Sequence, residues 1–271
     1  MIKILEYIEI LKQLDSGGSA TIYLGININT GKPVAVKELN EYLFKNNYTR
    51  EKFREEANRY LYLEHPNIVE LVDLILYPNR GYLIMEYIEG KNLRDYMKSI
   101  TGWLPVQNVA LFIHETLNAL EYAHNKGIIH MDIKPSNIML SNQNQIKLID
   151  FGISQKKDRA NDGIKMGTPF YMSPEQIEGK GIDERTDIYS LGITMYELIA
   201  GTPPFAGNTT KEELMEIIRT KNIPKVKTLN SYDKVYEDEI NEIIKKSTAK
   251  IPSNRFRSCQ EFKNALKTII Q

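Results

Sequence analysis

Near residue 88 the spacing of apolar residues changes from every second position to every third or fourth, and the two halves cannot share one kind of secondary structure. Before that point the chain reads as strands. Residues 10–28 alternate apolar and polar side chains around Gly17-Gly18, Pro33 to Leu39 is a short β run, and VELVDLILY and GYLIMEYIE flank the turn Pro78-Asn79-Arg80-Gly81. One helix interrupts them, from about Thr49 to Glu64, with Phe53, Ala57, Tyr60 and Leu61 at helical spacing. Beyond Lys91 the stripes are helical. Ala110, Ile113, Leu117 and Leu120 form one that stops at Gly127, and Asp187 to Ala200 form another that stops at Gly201. A run of antiparallel strands followed by a run of helices is the pattern of an α+β protein with its layers segregated.

The size agrees with this. At 271 residues and 42% hydrophobic, the chain can bury one large core or two smaller ones. Lys plus Arg equals Asp plus Glu at 35 each, so no global field draws the chain to nucleic acid or an anionic membrane. Specificity has to be local. Cys259 is the single cysteine, which rules out an internal disulfide and suits a reducing, cytoplasmic setting. The N-terminal MIKILEYIEILKQLD interrupts its apolar residues with Lys and Glu, unlike a signal peptide, and no uninterrupted apolar stretch is long enough to span a membrane. No His and Cys spacing suggests zinc. His65, His114 and His124 read as loop or packing residues, Trp103 as packing, and LMEIIRTKNI at 214–223 as an amphipathic helix.

Three places carry chemistry. Gly17-Gly18 in LDSGGSATIYLG can bring backbone N–H groups close to a phosphate, although a hairpin turn explains a Gly-Gly equally well. In PVAVKEL, alternation puts Ala35, Lys37 and Leu39 on one face and Val34 and Val36 on the other. On the next helix Glu56 shares a side with Phe53, Tyr60 and Leu63, whereas Glu55 lies about 100° away and faces solvent. An inward ammonium and an inward carboxylate on adjacent elements predict an ion pair of Lys37 with Glu56, because either charge buried alone is costly. The third place is HMDIKPSN. Asp132, Lys134 and Asn137, followed by Asp150 after the strand-like QIKLID, make a set of carboxylate, cation, amide and second carboxylate. Asn and Asp oxygens suit Mg²⁺, which takes a few protein oxygens together with phosphate oxygens. Asp132 suits the orientation and deprotonation of a hydroxyl, and Lys134 the charge of a transferring phosphoryl group.

With these motifs in order along nearly the whole chain, the sequence resembles the protein kinase family. VAVK ends in Lys37, HPNIV follows the Glu56 helix, and HMDIKPSN stands as the catalytic loop. Asp150-Phe151-Gly152 is DFG, GTPFYMSPE at 167–175 closes the activation segment, and TDIYSLG and Arg255 complete the series. The resemblance implies a bilobal protein kinase fold: residues 1–271 as one domain, with a small antiparallel β-sheet lobe and one helix (1–86) and a larger, mainly helical lobe (87–271, including the hinge). It implies ATP with Mg²⁺, Mn²⁺ being able to substitute. Lys37 is then expected to hold the α- and β-phosphates and pair with Glu56. Asp132 is expected as the catalytic base, Lys134 at the γ-phosphate, and Asn137 and Asp150 at the metal. Leu14, Gly17, Gly18, Ile22, Ala35 and Met139 are expected around the nucleotide. Met85 is expected as gatekeeper, with Glu86, Tyr87 and Ile88 as the hinge. Asp187 is expected to brace the catalytic loop and Glu175 to pair with Arg255.

Lys134 in DIKPSN and Thr168 in GTPFY resemble Ser/Thr rather than Tyr kinases, and GGSATIYLG and TDIYSLGITMYELIAGTPPF are similar to the bacterial eukaryotic-like Ser/Thr kinases. Many of those continue into a membrane span and a sensor; ending at Gln271, this chain is expected to be a single-domain kinase or the catalytic part of a longer one. The expected partners are ATP and protein substrates with Ser or Thr acceptors, with no nucleic acid and with homodimerisation left open. Two departures stand out. Of the family's three loop glycines only Gly17 is kept, Asp15 and Ala20 standing at the others. Met131 stands where most kinases have an Arg that binds a phosphorylated activation loop, and 155–167 contains no Ser, Thr or Tyr. Activity without activation-loop phosphorylation is the expectation. A nucleotide-binding pseudokinase scaffold and a small-molecule kinase of the same fold are the alternatives. The first lacks its usual mark, since Lys37, Asp132, Asn137 and Asp150 all persist, and the second does not explain GTPFYMSPE.

Overall fold

The computed structural model describes residues 3–16, 20–39, 51, 54, 57–58, 60–78, 80–151, 169–207 and 210–271. The chain forms two compact units, Met1–Glu89 and Gly90–Gln271.

In the first unit β1 (Lys3–Leu5), β2 (Ile8–Ser16), β3 (Ala20–Asn27), β4 (Pro33–Leu39), β5 (Leu71–Tyr77) and β6 (Arg80–Glu86) make a sheet in the order β1-β2-β3-β4-β6-β5. Every pair is antiparallel. Directly opposed residues share a face, so the register decides what each side chain sees. Val36 lies between Tyr23 and Ile84, and this face is the buried one, with Ile8, Val34, Ile75 and Tyr82. Its edge is polar: the Glu38 carboxylate accepts from Tyr23 Oη (3.1 Å), Tyr82 Oη (2.9 Å) and Arg80 Nη1 (3.0 Å). Residues 51, 54, 57, 58 and 60 are helical, and the chain turns at 61–62. The helix therefore ends before Glu64. Tyr60 explains the early stop, since its hydroxyl donates to Val69 O (2.9 Å) and ties the helix end to the segment leading into β5.

The second unit is mainly helical. It contains α1 (Leu93–Ile100), α2 (Val106–Asn125), α3 (Pro174–Glu178), α4 (Arg185–Ala200), α5 (Lys211–Thr220), α6 (Glu237–Ser247) and α7 (Cys259–Ile270), with a small sheet of β7 (Gly90–Asn92), β8 (Ile138–Ser141) and β9 (Ile146–Leu148). Sequence pattern anticipated only the last of these strands, because runs of three or four residues carry too few alternations to read. Ala110, Ile113, Leu117 and Leu120 are all fully buried on α2, as their spacing requires. Gly127 (φ +72°) and Gly201 (φ +79°) take the left-handed conformation that ends α2 and α4. Helix α5 stops at Thr220 rather than 223, because Ile223 turns back to pack with Tyr189, Leu214 and Ile218. Helix α4 is buried almost all round, which Gly192 permits where the end of α6 crosses it.

Candidate active site

Helix α2 ends in a tight turn, and the chain then passes through His130–Asn137 into β8. This loop is held from beneath by Asp187, fully buried in the first turn of α4. Its Oδ2 accepts from the backbone N–H of His130 (2.8 Å) and its Oδ1 from that of Met131 (2.8 Å). The ring of His124 lies on Oδ2 as well, Nε2 at 2.8 Å. Burial alone would raise the Asp187 pKa, but the His124 hydrogen bond and the positive side of these donors outweigh it and hold the carboxyl below its ordinary value. On its other ring nitrogen, Nδ1, His124 meets Cys259 Sγ at 3.6 Å. Burial pushes the Cys259 thiol far up, so it stays protonated and donates to the imidazole. His124, read from sequence as a packing residue, is thus part of the brace. A buried Asp demands a donor, but sequence spacing could not say which residue of α2 would reach it.

His130 joins this loop to the strand beyond. Its Nδ1 accepts from the backbone N–H of Asp132 (3.2 Å), so Nε2 carries the proton and donates to Ile149 O (2.9 Å), and its ring packs on Phe151 at 4.7 Å. Met131 is not packed in the core beside them. Its backbone is left-handed (φ +64°), its carbonyl accepts from Gln176 Nε2 of α3 (2.9 Å), and its side chain lines a cavity next to Asp132. The left-handed geometry lets the chain reverse between two residues both anchored to the braced loop.

The predicted chemical set converges here. Lys134 Nζ donates to Asp132 Oδ2 (2.7 Å), and Asn137 Nδ2 donates to the same Oδ2 (2.9 Å) and to Asp132 O (2.8 Å). Both partners of the amide are acceptors, which fixes its nitrogen toward Asp132 and turns Asn137 Oδ1 the other way. The backbone N–H of Ile149 donates to Asn137 O (2.9 Å) and brings Asp150, in a left-handed conformation (φ +61°), to the end of the same segment. Among the described residues no group of three or more His, Cys, Asp and Glu forms a cage. Two oxygen side chains, Asn137 and Asp150, fit a hard cation that keeps water or phosphate oxygens as its other ligands. Met139 follows on β8, half-buried and opposite Asn92 and Lys147.

In the first unit the register sets Lys37 between Ile22 and Leu83, and Ala35 between Leu24 and Met85 on the next rung of that face. Asp15 opposes Ile22, but its carboxylate folds onto the backbone N–H of Ser16 (2.7 Å). Leu14 falls at the β2 irregularity beside it and is exposed. The backbone N–H of Glu86 donates to Glu70 O (3.0 Å), and Tyr87 and Ile88 follow, both half-buried. Gly17, Gly18, Glu55, Glu56 and Thr168, and with them the expected Lys37–Glu56 pair and the 155–167 stretch, lie outside the described residues.

Deeper in the second unit Glu175 is buried against Arg255, with Nη1 at 2.6 Å from Oε1 and Nη2 at 2.8 Å from Oε2, and Thr186 Oγ1 adds a third donor at 2.8 Å. Burial opposes the charge on Glu175, yet Arg255 holds its pKa below the usual carboxylate value.

A protein kinase domain model matches residues 8–266. The chain belongs to the protein kinase family. The serine/threonine-protein kinase PknB of Mycobacterium leprae is 33% identical over 258 residues, covering 92% of this chain and 41% of that protein. PrkC of Bacillus subtilis is 33% identical over 264 residues, covering 96% of this chain and 40% of that protein. The chain thus spans about two fifths of the length of the curated relatives it matches. Among solved structures, the PknI kinase domain of Mycobacterium tuberculosis superposes with a TM-score of 0.77 at 26% identity, over 98% of this chain and 97% of that one. The α+β architecture is that of the kinase fold, a small antiparallel sheet unit and a larger helical one, and the relatives place the domain with the bacterial Ser/Thr type.

Proposed function

We propose that this kinase domain transfers the γ-phosphoryl group of ATP to Ser or Thr hydroxyls of protein substrates, using Mg²⁺ in the cytoplasm. One observation carries the reading: among the described residues both hydrogen bonds to the Asp132 side chain fall on Oδ2, from Lys134 and Asn137, which leaves Oδ1 for a substrate hydroxyl. An aspartate held in this way orients the hydroxyl and receives its proton as the new O–P bond forms. Lys134, already paired with Asp132, balances charge on the transferring group. Asn137 Oδ1 and the Asp150 carboxylate hold the metal, which when bound neutralises charge developing between the outer phosphates. Lys37 holds the inner phosphates, and Ile22, Ala35 and Met139 pack on the purine. The backbone of Glu86–Ile88 binds its edge, with the Glu86 N–H already given to Glu70.

Met131 supports a second part of this reading. With no cation before Asp132 and no hydroxyl between Gln155 and Gly167, the loop has neither half of the usual phosphate latch. The Asp187 and Gln176 hydrogen bonds anchor the loop around Asp132 through the backbone of Met131 and need no cationic side chain at that position.

The test is phosphate transfer from radiolabelled ATP to a generic protein substrate, by the wild-type chain and by Asp132→Asn. The substitution keeps the shape and removes the base, so transfer is expected to fall by roughly 10²–10⁴-fold. Undiminished labelling would reject Asp132 as base, and labelling of small molecules alone would reject the protein-kinase reading.

A further inference from the structure

A cavity of about 560 Å³ is lined, among the described residues, by the second unit alone, and Asp132 and Lys134 form part of its wall. Helix α1 contributes Arg94, Met97 and Lys98, and the segment before α3 contributes Phe170, Tyr171 and Met172. Among the described residues its charged groups are five: Arg94, Lys98, Asp132, Lys134 and Glu197. Each carboxylate already has its cation. Asp132 pairs with Lys134 at 2.7 Å, and Glu197 faces Arg94 at 3.7 Å. Lys98 is the surplus charge: it is exposed, and although its charge also acts on Glu197, it makes no close ion pair with a carboxylate among the described residues.

The acidic wall is closed to a cationic ligand. Glu197 is buried at 5% exposure, and the Tyr171 hydroxyl donates to its Oε2. Burial pushes the Glu197 pKa up, against the hydrogen bond from Tyr171 and the charges of Arg94 and Lys98. A basic side chain would have to displace Arg94 to reach a carboxylate whose charge is already disfavoured. Arg94, by contrast, engages only Nη2 among the described residues, with Tyr171 Oη at 2.5 Å. Its other N–H donors remain for a ligand, and a guanidinium presents them in a fork that suits a carboxylate.

We propose that this cavity selects acceptor segments carrying an acidic side chain near the Ser or Thr hydroxyl. Lys98 and the remaining donors of Arg94 bind the carboxylate, and an apolar neighbour on the segment seats against Met97, Met131 and Phe170. The occupant is a stretch of protein substrate, so the inference rests on the kinase reading above and adds to it which substrates are chosen.

The experiment compares paired Ser peptides that differ only in having Glu or Lys around the acceptor, with wild type and Lys98→Glu. Transfer is measured as kcat/KM, and binding is measured separately by fluorescence anisotropy on the same peptides with Ala at the acceptor. For the wild type, the acidic peptide is expected to lead by about tenfold, the size of two exposed charge contacts, and the lead should shrink with added salt. In Lys98→Glu, an exposed site where folding is safe, the lead should vanish or invert. Equal use of both peptides, or a preference that Lys98→Glu leaves unmoved, overturns the inference while the kinase reading stands. Discrimination in binding with no transfer to either peptide supports the cavity and overturns the kinase reading. No transfer and no discrimination in binding overturns both.

Discussion

Arg255 shows how much one side chain can organise. It is 2% exposed, yet every donor group finds an acceptor: Glu175 through two nitrogens, Ala249 O at 2.7 Å, Arg185 O at 2.9 Å and Lys250 O at 3.2 Å. The guanidinium also lies over the Tyr189 ring at 4.9 Å. Replacing Arg255 by Met leaves a buried carboxylate without its cation, and we expect a loss of about 3–5 kcal/mol in urea unfolding. A loss below about 1 kcal/mol would show the pair to be dispensable. The same pair sets a pH dependence. The Glu175 pKa is depressed by folding, so the unfolded chain binds its proton first, and stability rises with pH in that range. The contribution is complete above the ordinary carboxylate value of about 4 and is lost as pH falls through the folded value. Asp187 adds to the loss with the same sign. Glu175→Gln should therefore flatten part of the acid limb of stability against pH, and an unchanged limb would assign it to other carboxylates.

Helix α4 is legible as apolar but not as central. Its pattern predicts one stripe, whereas thirteen of its sixteen residues are buried, including Thr186, Asp187, Ser190 and Thr194. The polar ones are tolerated because each has a local acceptor or donor: Ser190 Oγ donates to Tyr171 O (2.7 Å), and Thr194 Oγ1 to Ser190 O (2.9 Å). Gly192 is the close-approach point. A Cβ there would overlap the hydroxyl of Ser247 and crowd the methyl of Thr248. Gly192→Ala is expected to cost about 1–3 kcal/mol in denaturant unfolding despite alanine's better helix propensity. Ser247→Gly should cost less in that background than in the wild type, a coupling that a double-mutant cycle reads directly. Additive effects would mean that the helices separate freely.

At the scale of the whole domain, the support of the loop around Asp132 bears on the proposed independence from activation-loop phosphorylation. The catalytic loop is held by Asp187, His124 and Gln176, none of which can be modified by a Ser/Thr kinase. We expect protein treated with a phosphatase and then freed of it to transfer phosphate at the rate of untreated protein, within about twofold. Loss of turnover, restored together with phosphate at Thr168, would sink this. No helix among the described residues is long and apolar enough to cross a membrane.

Sequence alone determined the order of chemistry along the chain and the type of most elements. The meeting of Asp132, Lys134 and Asn137 was legible because the three stand within six positions, between an apolar helix and a strand. The strands from residue 10 to Glu86 and the stripe on α2 were legible because burial on one face imposes a period, whereas the three-residue β1 was not read. Tertiary structure decided what depends on residues far apart in the chain. His124 lies 63 positions from Asp187 and Cys259 lies 135 from His124, and no local period records such a contact. The turn of Asn137 Oδ1 away from Asp132, the pairing of Arg94 with Glu197 and the surplus charge of Lys98 likewise exist only once helices pack. Their energies come from desolvation and from which donor happens to be within reach, and both are properties of the folded arrangement.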